Sequence, residues 1–196
     1  MTANMLPQTP SQTVGPYFAY GITAAQYGYD WNQLADGVLV RDDTPGTRIR
    51  VEGRVLDGNG QPINDAVVEI WQADAAGAYP GEAAFADTGA FHGYGRFGTG
   101  TLPGNLFRFE TVKPGAADGA PHLNVVVMMR GLLIHAYTRV YFADEAAANA
   151  ADPVLALVPE ARRSTLIAEK SETPAGIVYK LDIHMQGPDE TVFFDF

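Results

Sequence analysis

Arg48-Ile49-Arg50-Val51-Glu52-Gly53-Arg54-Val55 is the stretch that decides the fold class. Charged residues hold every even position, and mostly apolar ones lie between. A period of two describes a strand with one face in a core and the other in water. Asp57-Gly58-Asn59-Gly60 then supplies strong turn chemistry. Similar runs recur downstream. Ala66 to Gln72 reads as a strand, and Leu106 to Val112 alternates until Lys113-Pro114-Gly115 ends it. His122 to Arg130 and Leu133 to Phe142 read as two long strands joined by a turn at Gly131. In Ile177 to Gln186, Ile177, Tyr179, Leu181, Ile183 and Met185 alternate with Val178, Lys180, Asp182, His184 and Gln186.

Helix signals are few. Asp144 to Ala151 is alanine-rich and begins with acids, and Glu160 to Lys170 places acid first and lysine last, matching the helix dipole. Residues 1–45 form a turn-rich arm, in which proline and glycine forbid a long helix. Its aromatics Tyr17, Phe18, Tyr20, Tyr27, Tyr29 and Trp31 call for burial against something, such as another chain. Short strands with frequent turns predict a mainly β protein: a β-sandwich core with short peripheral helices and an extended N-terminal arm. One domain over 1–196 is expected, with the arm at 1–45 and the core at 46–196.

Composition narrows the function classes. The 196 residues suffice for a sizeable core, and 46% hydrophobic with 18% charged residues argues against disorder. The net charge of −10, with no run of Lys or Arg, argues against nucleic acid and anionic membranes as partners. An anionic substrate would need a locally placed Arg or Lys. No cysteine is present, which removes disulfides, thiolate metal sites and thiol nucleophiles, and fits a reducing cytoplasm. The N-terminus lacks the basic and apolar regions of a signal peptide. The longest apolar run, Val125 to Met129, is far too short for a membrane span.

Local motifs do not converge on a site. No Gly-x-Ser-x-Gly, His-Glu-x-x-His, phosphate loop or dinucleotide fingerprint is present. None of the four histidines pairs with another at metal-ligand spacing. His184 reads as solvent-facing, His92 as a loop residue, and His135 as part of a polar strand face with Tyr137, Arg139 and Tyr141. At Pro121-His122-Leu123-Asn124 a strand begins with His and carries Asn two residues on, on the same face. Two histidines there would make half a metal site; histidine with asparagine makes a poor one.

A longer pattern carries a resemblance. It runs from Val51-Glu52-Gly53-Arg54-Val55 through Gly60 and Ile63 to Val68-Glu69-Ile70-Trp71-Gln72-Ala73-Asp74 and Gly77-Ala78-Tyr79. It continues through Phe109-Glu110-Thr111-Val112-Lys113-Pro114-Gly115, Pro121-His122 and Arg139-Val140-Tyr141-Phe142, with matching ends at Thr9 to Tyr17 and Glu190 to Phe196. The chain resembles the intradiol ring-cleaving dioxygenases, which are non-haem ferric enzymes on a β-sandwich. Their catalytic chains hold Fe³⁺ with two tyrosines and two histidines, hard phenolate oxygens suiting the ion.

On this sequence the first Tyr falls on Tyr79 and the first His on His122. The second Tyr falls at Ala116-Ala117 and the second His on Asn124, and the family's nearby Arg is replaced by Gly119-Ala120. The resemblance therefore implies no catalytic residue and no metal site in this chain alone, with Tyr79 and His122 vestigial. It implies that Fe(III) is held by a homologous partner beta chain. It further implies that Thr13, Gly15, Pro16, Tyr17 and Arg130 reach into the partner's pocket as substrate-binding residues. The expected assembly cleaves 3,4-dihydroxybenzoate with O₂ to 3-carboxy-cis,cis-muconate, Arg130 meeting the carboxylate of this small aromatic acid. A subunit acting on catechol or hydroxyquinol, or a non-enzymatic sandwich binding module, are the rival readings.

Overall fold

In a computed structural model describing residues 10–81 and 91–195, regular structure begins where the charge alternation does. Strand β1, Arg48–Leu56, buries Ile49, Val51 and Val55 and leaves Arg50, Glu52 and Arg54 only partly covered. Among the described residues eight further strands follow: β2 Val67–Gln72, β3 Tyr94–Gly98, β4 Leu106–Val112, β5 His122–Met128, β6 Ala136–Phe142, β7 Ile167–Thr173, β8 Gly176–Lys180 and β9 Ile183–His184. Among the described residues two short α-helices, α1 Phe18–Ile22 and α2 Ala146–Ala151, lie at the periphery with several 3₁₀ turns.

The strands follow one path, β3-β2-β5-β6-β7-β8-β1-β4, with β9 added beside β1. The path folds over at β6–β7, where only Tyr141 with Ile167 and Phe142 with Ala168 pair, in parallel. Its two halves then share one core. Val51, Phe109 and Tyr179 from one half meet Ile70, Val125 and Phe142 from the other. Phe142 and Tyr179 pack edge to face at 4.8 Å, and Phe97 and Phe109 do so at 6.2 Å. The mainly β, two-layered fold with short helices agrees with the sequence.

Three elements differ from the sequence reading by more than two residues. The strand expected from Leu133 starts at Ala136, leaving Leu133 and Ile134 exposed. The Gly131 N–H, at the tip of that hairpin, donates to Thr13 Oγ1 of the arm at 2.9 Å, so the tip engages the arm and not a lengthened ladder. Glu160 to Lys170 is not one helix: a 3₁₀ turn, Glu160–Leu166, gives way to β7. Ladder pairing of Ile167–Thr173 with β6 and β8 outweighs the favourable charge order. The strand expected over Ile177 to Gln186 breaks at Leu181-Asp182, between β8 and β9. There the chain crosses so close to β1 that a Cβ on Gly53 would lie 1.8 Å from the Leu181 carbonyl oxygen. Its apolar positions still face the core as the alternation predicts.

Candidate functional site

The strand register assembles a cluster on the outer face of the β3-β2-β5-β6 layer. Tyr94 pairs with Trp71, Trp71 with Asn124, and Asn124 with Arg139, so these four form one row across four strands. His122 with Tyr141 lies in the next row on one side, and Val126 with Tyr137 in the next on the other. Directly opposed residues share a face and approach to about 5 Å at Cβ. Beside this cluster lies a cleft of about 240 Å³ lined by Glu69, Ile70, Trp71, Tyr94, Asn124, Val126 and Tyr137.

Tyr79 comes to the cluster from a tight turn. The Asp74 carboxylate accepts from the Ala76 and Ala78 N–H groups, each at 2.9 Å. Gly77 sits at φ 88°, and a Cβ there would meet the Ala116 carbonyl oxygen at 2.0 Å. The Gly115 N–H donates to the Asp74 carbonyl at 2.8 Å, so the Lys-Pro-Gly turn and the Tyr79 turn are joined through backbone. The Tyr79 ring then stacks on Trp71 at 5.9 Å.

The polar atoms form a directed chain. His122 Nδ1 donates to the Ala120 carbonyl at 2.8 Å, which leaves Nε2 as an acceptor for the Tyr79 hydroxyl at 3.3 Å. Asn124 Nδ2 donates to Tyr79 Oη at 2.9 Å and to the Trp71 carbonyl at 3.2 Å. A carbonyl can only accept, so it fixes which way the amide points. Asn124 Oδ1 accepts from the Tyr137 hydroxyl at 2.5 Å. Burial, reinforced by the Arg139 charge, holds the His122 imidazole below its ordinary pKa. Burial raises the Tyr79 phenol despite the Asn124 hydrogen bond and the Arg139 charge. Both groups are therefore neutral at pH 7.

This donor set does not fit a ferric ion. The Nε2 lone pair and the phenolic proton, which a metal would need freed, are engaged with each other. Asn124 presents its nitrogen, a donor, toward Tyr79. Ala116 offers only backbone where a second tyrosine is required. Among the described residues, no group of three or more His, Cys, Asp or Glu side chains is placed to hold a metal.

A buried carboxylate fixes the segment that presents His122. Asp152, 1% exposed, accepts from the N–H groups of Ala120 at 2.9 Å, Val154 at 3.0 Å and Leu155 at 2.7 Å, and from the Tyr141 hydroxyl at 3.0 Å. Burial pushes its carboxyl up, but these donors outweigh it and hold the pKa below the ordinary value.

The residues expected to serve a partner's pocket lie away from the Tyr79–His122 cluster. The link from Thr13 Oγ1 to the Gly131 N–H brings the arm to the turn that carries Arg130. The Gly15 carbonyl accepts from the Phe18 N–H at 3.1 Å, closing a turn over Pro16 and Tyr17. Tyr17 is 80% exposed. Arg130 is also largely exposed; its Nε forms an ion pair with Asp65, whose side chain is mostly covered. That contact engages Nε, while the side chain as a whole stays more than half exposed. Aromatic contacts continue along the arm through Tyr20, Tyr27, Tyr29 and Trp31. The part of the arm match at Thr9 lies outside the described residues, as does Phe196.

Of the remaining histidines, His92 occupies a loop and His184 is half-buried on β9. His135 is exposed and precedes β6, so it does not share the face of Tyr137, Arg139 and Tyr141. That face belongs to the cluster and not to a generic polar surface. Sequence reasoning grouped these three residues correctly by period but lacked the β5–β6 register that sets Arg139 opposite Asn124. Asp65 and Asp152 carried no local signal.

Comparisons with known proteins bear on this geometry. A family model described as "Dioxygenase" matches residues 15–137. The protocatechuate 3,4-dioxygenase alpha chain of Burkholderia cepacia is 54% identical over 193 residues, covering 97% of this chain and 98% of that one. The protocatechuate 3,4-dioxygenase beta chain of Burkholderia cepacia is 35% identical over 178 residues, covering 82% and 73%. Among solved structures, the dioxygenase domain of a dioxygenase and carbohydrate-binding fusion protein from Streptomyces sp. SirexAA-E superposes with a TM-score of 0.58. It is 23% identical, covers 95% of this chain and 100% of that one, and shows the fold.

Proposed function

The chain belongs to the intradiol dioxygenase family, and from that premise we propose that it is the alpha-type subunit of a hetero-oligomer whose homologous beta chain holds Fe(III). The assembly breaks the bond between the two hydroxyl-bearing carbons of 3,4-dihydroxybenzoate. Both atoms of O₂ enter the product, 3-carboxy-cis,cis-muconate. The observation that carries this proposal is a near-full-length likeness to an alpha chain, in a protein whose own Tyr79–His122–Asn124 donors are engaged with one another. The iron chemistry belongs to the partner. The absence of cysteine suits a reducing cytoplasm.

This chain contributes the edge of the pocket that recognises the carboxylate. The exposed guanidinium of Arg130 is held at Nε by Asp65, and its Nη groups can offer the parallel N–H donors that match a carboxylate. In a protein of net charge −10, that local cation offsets the repulsion an anionic substrate meets on approach. Thr13 sets the arm against the Arg130 turn, Gly15 and Pro16 shape the bend, and Tyr17 presents its ring from the same arm. The discriminating experiment is a substrate panel on the purified alpha–beta complex. kcat/KM for 3,4-dihydroxybenzoate should exceed that for catechol and hydroxyquinol by at least about tenfold, the worth of one charge-assisted contact. Equal values for catechol would contradict carboxylate recognition.

A further inference from the structure

Arg139 has no counterpart in the function just described, yet it sits at the centre of the Tyr79–His122 cluster. It lies directly across the β5–β6 ladder from Asn124, on the same face. Its Nε and Nη1 atoms are buried and form no hydrogen bond. The guanidinium hydrogen-bonds the Tyr137 and Tyr141 hydroxyls through what remains of it, and no described carboxylate forms an ion pair with it. Orphaned buried donors on a fixed cation need an explanation. The same charge acts on both Tyr79 and His122, so it lies within electrostatic reach of the two donors that a metal would use.

We infer that Arg139 keeps the cluster free of metal: its guanidinium supplies the positive charge of the centre, so that restoring a ligand at position 124 does not by itself restore metal binding. Two effects of this cation compete. It eases ionisation of the Tyr79 phenol, a benefit that scales with one unit charge. It also repels an incoming dication, a cost that scales with two. The balance is repulsion by about one unit charge. At about 6 Å and an effective dielectric near 20, that corresponds to roughly 100-fold in affinity.

The test uses the full chain with Co²⁺ as the probe, read by its visible ligand-field absorption and by calorimetry. Asn124→His provides Tyr79, His122 and an introduced imidazole, three donors that with water suffice for a four-coordinate dication. Asn124→His combined with Arg139→Gln should bind Co²⁺ about 100-fold more tightly than Asn124→His alone. Combining Asn124→His with Arg139→Lys keeps the cation and should match Asn124→His alone. Combining it with Arg130→Gln removes the same formal charge from an exposed turn and should stay within about twofold, because salt screens that site. Near-UV circular dichroism confirms the packed state. If Arg139→Gln does not fold, Arg139→Met keeps the aliphatic stem and serves in its place. Equal affinity with and without Arg139 would overturn the inference. So would a folded double variant that fails to bind Co²⁺, or an Arg139→Lys combination that binds as tightly as the Arg139→Gln one.

Discussion

Replacing Asp152 with asparagine is expected to destabilise the protein by about 3 kcal/mol. Asp152 Oδ1 accepts from Tyr141, Val154 and Leu155, and an asparagine oxygen in the same place keeps those three contacts. Oδ2 accepts from the Ala120 N–H at 2.9 Å, and there the amide nitrogen would face another donor. One buried N–H is left without a partner, costing about 1–3 kcal/mol. The three retained bonds lose their charge assistance, a further loss of about 1 kcal/mol in sum. Asp152→Ala removes all four acceptor contacts and should cost about 4–5 kcal/mol, at the extreme of single substitutions.

Urea unfolding followed by tryptophan fluorescence reads this well, because Trp71 stacks on Tyr79 inside the cluster. With a slope near 2 kcal/mol per molar, Asp152→Asn should lower the midpoint by about 1.5 M. The sign of the pH dependence follows from the depressed carboxyl. Its contribution is complete above the unfolded value, near pH 4, and is lost as pH falls through the lower folded value. The wild-type advantage over Asp152→Asn should therefore shrink below about pH 4. A loss under 1 kcal/mol at pH 7, or an advantage that persists unchanged into acid, would refute this role for the carboxylate.

Other expectations concern the arm and the Tyr79 turn. In the assembled enzyme, Arg130→Ala should raise KM for 3,4-dihydroxybenzoate about tenfold with little change in kcat, the pattern of lost uniform binding; steady-state O₂ uptake measures both, and an unchanged KM with full assembly would remove Arg130 from substrate binding. Asp65→Ala frees the held edge of the Arg130 guanidinium and should raise KM by a smaller factor, about two- to threefold, on the same assay. Gly77→Ala places a Cβ against the Ala116 carbonyl at positive φ, and should cost about 2 kcal/mol or more in urea unfolding.

Much of the architecture was legible because β1, β4 and the Ile177 to Met185 run bury alternate side chains against a single core, and a period of two survives in sequence. Boundaries set by distant contacts did not survive. Ile167 to Thr173 is a strand only because β6 and β8 lie on either side of it, and nothing local outweighs the helix-like charge order before it. The break at Leu181 depends on how closely that backbone crosses Gly53. The cluster was half legible. The i, i+2 spacing of His122 and Asn124 puts them on one face, but the Tyr79–His122 contact spans 43 residues. The Asn124–Arg139 pairing needs the hairpin register, which the seven-residue Met129–His135 connection does not reveal. Asp152 was invisible because its four donors come from the 120 segment, from β6 and from its own turn.

Iron content and 3,4-dihydroxybenzoate-dependent O₂ uptake, measured for this chain alone and for the chain co-expressed with its beta homologue, test the central claim most directly. The account predicts an iron-free, inactive lone chain and an active complex with one iron per alpha–beta pair. Stoichiometric iron with ring cleavage in the lone chain would contradict it.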